Sequence, residues 1–130
     1  DLSGASFERA DFSETDLSDT DLSGVVLTDA YLSTADLSGA NLSDATLEAA
    51  DFEGADLSEA DLSGADLSDA NLHDASLTGA DLSGATLTGA DLRRADFSYA
   101  NVHGVQLENA PSEYTTLEDL AARGAQVRPD

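Results

Sequence analysis

Few side chains in this sequence are of the types that carry out chemistry, and their spacing keeps those few apart. His73 and His103 are the two imidazoles, and with no Cys there is neither a disulfide framework nor a thiolate metal site. Serines are abundant, but most sit at one recurring place where turn geometry accounts for them. No base is placed to activate one, so a Ser-His-Asp site is not expected. Asp pairs such as Asp16 and Asp19 lack the spacing of an EF-hand and the Gly-Asp nonapeptide pattern of calcium β-helices. No phosphate-cradling Gly motif and no basic-aromatic nucleic-acid motif occurs. The expectation is no catalytic site, no cofactor and no specific metal.

What remains is surface. The chain of 130 residues holds 27 acids against 5 bases, a formal net charge of −22, and all five bases are Arg. Such a chain should avoid nucleic acid and anionic membranes and be drawn to basic partners. No apolar run approaches membrane-spanning length and no signal-peptide core is visible, so a cytoplasmic protein is expected.

The element that must position everything is a repeat. An apolar residue recurs every five positions from Leu2 to Leu107, giving 22 consecutive centres: 17 Leu, 4 Phe and 1 Val. Two residues before each later centre, and again at Ala110, stands a small residue; of these 22 positions 18 are Ala, the others Thr15, Thr20, Val25 and Val105. The other three places are polar, typically Asp or Asn, then Ser, then Gly or Asp. An α-helix rotates about 500° in five residues, so no apolar stripe forms. On a flat strand an odd period sends alternate centres to opposite faces. A chain that turns about a quarter circle every five residues keeps all centres inside. Ser, Asp, Asn and Gly then supply the turns.

Units such as Ala35-Asp36-Leu37-Ser38-Gly39 and Ala55-Asp56-Leu57-Ser58-Glu59 resemble the A(D/N)LXX signature of pentapeptide-repeat proteins. The resemblance covers residues 1 to about 110. It implies an all-β fold, a right-handed quadrilateral β-helix of 20 residues per coil and about 5.5 coils; the family's functions are diverse, so it implies no particular activity.

Sorting the residue before each centre into four columns gives an independent check on that coil length. One column reads Asp1, Asp21, Asn41, Asp61, Asp81, Asn101; another Asp11, Tyr31, Asp51, Asn71, Asp91; a third Asp16, Asp36, Asp56, Ser76, Asp96. The fourth reads Ser6, Val26, Thr46, Asp66, Thr86, Gln106 and is nearly neutral. On this coil His73 and His103 fall on opposite faces and cannot share a metal. Arg93 falls one coil above His73, and Arg94 one coil above Asp74, where a surface ion pair of about 0–1 kcal/mol is expected.

The repeat breaks where Ser112 replaces a centre, just after Pro111. Thr115 with Glu118 resembles a capping box and Gly124 is a helix stop, so 115–123 is expected as a short helix. The chain thus divides into a β-helix over 1–110 and a C-terminal cap and tail over 111–130. Tyr114, Leu117 and Leu120 would cover the last coil or meet a second copy, making a homodimer through a solenoid end one expectation. Leu2 is already in register and no initiator Met is present, so an upstream segment or a stacked chain is expected at the first coil.

Two functional readings stay open. In one, the solenoid is a structural or protein-interaction scaffold, its acidity an adaptation to high salt. In the other, implied by the resemblance, it mimics duplex DNA and binds DNA gyrase or another DNA-binding protein. Residues 1–110 hold 23 acids and 3 Arg on a rod roughly 26 Å long. That is about one net charge per 1.3 Å, against one per ~1.7 Å for duplex DNA. Neither reading involves direct nucleic-acid or membrane binding. Candidate interaction residues are Val26, Thr46, Thr86 and Gln106 on the neutral column, with the outward aromatics Tyr31 and Tyr99.

Overall fold

The computed structural model describes residues 1–110, Leu120 and Arg123. Every inter-coil bridge is parallel and joins residue i to i+20, from Ser6–Val26 to Thr86–Gln106. The coil is therefore 20 residues with four five-residue sides. Side 1 starts at residues 1, 21, 41, 61, 81 and 101, and sides 2, 3 and 4 follow at five-residue steps.

Each side turns the corner with one hydrogen bond: the Ala5 N–H donates to the Leu2 carbonyl at 3.1 Å, and the same bond recurs at each later side through the Val105 N–H to the Val102 carbonyl, as from Ala30 to Leu27 at 3.0 Å. The third residue of each such turn has a positive φ, as in type II turns. That holds at all 22 corners, of which only nine are Gly. Thirteen ordinary side chains, Ala49 and Thr34 among them, are thus held where L-residues crowd their own carbonyls, a cost of about 1–2 kcal/mol each. We expect Ala49→Gly to raise stability by about 1 kcal/mol, read as a higher denaturation midpoint; a lower midpoint would contradict it.

Three backbone bonds per side tie one coil to the next. The Leu27 N–H donates to the Thr46 carbonyl at 2.8 Å, the Asp29 N–H to Glu48 at 3.0 Å, and the Thr46 N–H back to Val25 at 2.8 Å. The sides are joined by single parallel bridges and not by extended strands. Two of five residues are spent at the corner, leaving one bridging residue per side.

The core is the column of centres with the small residues beside them. From Leu17 onward every centre is buried, and so is the small residue of each side from Val25 to Ala110. No polar or charged side chain is buried among the described residues. The first coil is looser: Leu2, Phe7 and Phe12 are partly buried, and the Phe7 and Phe12 rings meet edge to face at 5.3 Å. Thr15 and Thr20 fit there because they are half-buried and their hydroxyls donate to the Ser13 and Ser18 carbonyls at 3.4 Å.

Leu120 is helical and joins the same core, 1% exposed. Arg123 Nη2 donates to the Phe97 and Ala100 carbonyls, both at 2.7 Å. Tyr114, Leu117 and most of the expected 115–123 helix lie outside the described residues.

Candidate functional site

The outside is built from a repeated local motif. In the second-coil turn Asp36-Leu37-Ser38, Asp36 Oδ1 accepts the Ser38 N–H at 3.0 Å and the Ser38 hydroxyl at 2.6 Å. Asn serves equally: Asn41 Oδ1 accepts both donors of Ser43, at 3.0 and 2.7 Å. This is an Asx-turn, in which the side chain caps a backbone N–H two residues on. It explains why Asp or Asn, then a centre, then Ser recurs. The hydroxyl and N–H of Ser18 hold the Asp16 carboxyl below the usual carboxylate range. Backbone and side-chain bonds from Ser23 do the same for Asp21, and the Ser98 hydroxyl and N–H for Asp96.

These depressed carboxyls set a pH dependence. Their folded values lie below the ordinary 3.8, so their stabilisation is present above that value and is lost as pH falls through the folded values. Thermal unfolding should move to lower temperature as pH falls below about 4. A melting temperature that rises steadily over that range would mean that relief of like-charge repulsion dominates instead.

Carboxylates stack directly on carboxylates only on sides 1 and 4: Asp1 below Asp21, Asp61 below Asp81, and Asp16, Asp36 and Asp56 in a row. Their Asx-turn donors offset that repulsion. At the corners no acid has another acid one coil on. Asp19 is followed by Gly39 and Glu59 by Gly79, where an added Cβ would overlap the carboxylate leaning over from the earlier coil. Asp74 is followed by Arg94, whose Nε lies 2.8 Å from Asp74 Oδ1, the ion pair expected from the sequence.

Sides 1 and 4 adjoin and carry no Arg. Side 3 is different. Arg93 Nε and Nη2 grip Asp91 at 2.9 and 2.7 Å, within one turn and not across coils, and hold its carboxyl low. His73 Nδ1 stands 3.2 Å from Asp74 Oδ2 and 4.0 Å from Glu53 Oε1. No group of three or more His, Asp or Glu able to hold a metal occurs among the described residues.

Val26, Thr46, Thr86 and Gln106 fall in one bridged column on side 2, interrupted by Asp66 between Thr46 and Thr86. That neutral strip is only one residue wide, because Glu8, Glu48 and Glu108 flank it two residues on and Asp29 and Asp69 hold its corner. Tyr31 lies on side 3 between Asp11 and Asp51, 53% exposed. Tyr99 stands at a side-4 corner three coils further on, 91% exposed with a positive φ. The two aromatics are not brought together.

No curated protein matches the chain. Among solved structures, HetL of Nostoc sp. strain PCC 7120, a pentapeptide repeat protein involved in heterocyst differentiation regulation, shares 30% identity at a TM-score of 0.61. The match covers 95% of this chain, which spans 64% of the length of HetL. A pentapeptide repeat protein from the Arabidopsis thaliana thylakoid lumen is 35% identical over 87% of this chain and 72% of that one, at a TM-score of 0.37. A trypsin-treated QnrB1, a plasmid-mediated fluoroquinolone resistance protein, is 23% identical over 96% and 80%, at a TM-score of 0.47. The fold shared with HetL is a right-handed quadrilateral β-helix. Eight copies of the family described as Pentapeptide repeats match residues 1–29, 35–74 and 75–110, and with the 20-residue coil they establish that this chain belongs to the pentapeptide-repeat family.

Proposed function

We propose that this chain is a non-enzymatic protein-interaction scaffold that works through its acidic outer surface. One observation carries the reading: among the described residues no polar or charged side chain is buried, so the carboxylates are displayed outward. The likeness to HetL, a protein involved in regulation, supports it. The partner is a protein with a basic surface, because the two contiguous sides without Arg hold Asp columns that attract basic groups and repel acidic ones.

The Asx-turns supply the test. Asn already replaces Asp at positions 41, 71 and 101, with its oxygen accepting the same turn bond. Replacing Asp16, Asp36, Asp56, Asp21, Asp61 and Asp81 by Asn therefore keeps the turns and removes the charge. Wild-type rod immobilised against a lysate of its source organism should retain proteins that the neutralised rod, folded by circular dichroism, does not. Identical retention by both would refute a surface-charge role.

A second reading, mimicry of duplex DNA toward DNA gyrase or another DNA-binding protein, is favoured by the charge density along the rod, about one net charge per 1.3 Å. It predicts inhibition of gyrase supercoiling at moderate salt. No inhibition, with unfolding below roughly molar salt, would leave the acidity as an adaptation to high salt.

A further inference from the structure

We draw no further inference here: the strongest candidate, the open edge of the first coil, where the N–H groups of Ser6, Asp11 and Asp16 meet no backbone acceptor among the described residues and Leu2, Phe7 and Phe12 are only partly buried, carries nothing because nothing in the structure shows what covers it.

Discussion

Phe52→Ala is expected to lower stability by about 3–5 kcal/mol, read as a shift in the midpoint of chemical denaturation. Phe52 is fully buried in the third coil, with Leu32 one coil below and Leu72 one coil above as centres of the same side. A solenoid buries each coil only against its neighbours, so a vacancy between two coils opens the contact on both sides. The backbone cannot collapse into it, because the bonds from Leu32 N–H to the Asp51 carbonyl at 2.7 Å and from Phe52 N–H to the Asn71 carbonyl at 2.8 Å fix the coil spacing. Phe7→Ala is the matched control. Phe7 is only partly buried in the first coil and touches Phe12 edge-on. Its loss should be clearly smaller, and equal losses at the two positions would contradict a core closed by stacking.

The second large effect is at the other end. Leu120→Ala should cost about 2–5 kcal/mol, since this residue is 1% exposed and part of the common core. Arg123→Met should cost about 1.5–3 kcal/mol, because its guanidinium donates charge-assisted bonds to two backbone carbonyls, Phe97 and Ala100. Both belong to a side whose last bridge is Ser76–Asp96. Hydrogen exchange should show the loss concentrated in the coil around 95–110 and fading toward the third coil, as nearest-neighbour coupling requires. Uniform loss of protection along the rod would argue against local capping by these residues.

Much of the fold is legible in the sequence because the repeat is a direct record of geometry. The five-residue spacing of Leu and Phe names the core, and sorting the preceding residues by 20 reproduces columns that are bridged in the structure, such as Asp16–Asp36–Asp56. The Asp74–Arg94 pair follows from the same arithmetic. Arg93 does not, because its partner Asp91 lies two residues away in its own turn, where reach decides and not period. Arg123 escapes for another reason: it lies past the repeat, where no periodicity says which carbonyl it meets.

The surface is legible only in part. Reading one column per side gives a neutral side 2, but the residues two and three places on also face outward, and they return Glu and Asp to that side. The positive φ at Ala49 or Thr34 has no signature in residue type, since Gly holds only nine of those corners. There the closed coil imposes the conformation and local preference yields. The alternation of acid and Gly from Asp19 through Gly79 was present as a signal. It becomes readable once the corner column is seen as a stack.

Every surface column, and with it each functional reading, rests on the 20-residue coil. The chain has no Cys, so engineered pairs test that register without background. Thr28→Cys with Glu48→Cys places two thiols one coil apart on the same column, about 4.8 Å between Cα atoms and within disulfide reach. Thr28→Cys with Ser43→Cys, or with Glu53→Cys, places them on different sides. Mild oxidation should cross-link the first pair within the monomer and leave the other two reduced. Cross-linking of 28 to 43 or to 53 in preference to 48 would contradict the coil on which this account stands.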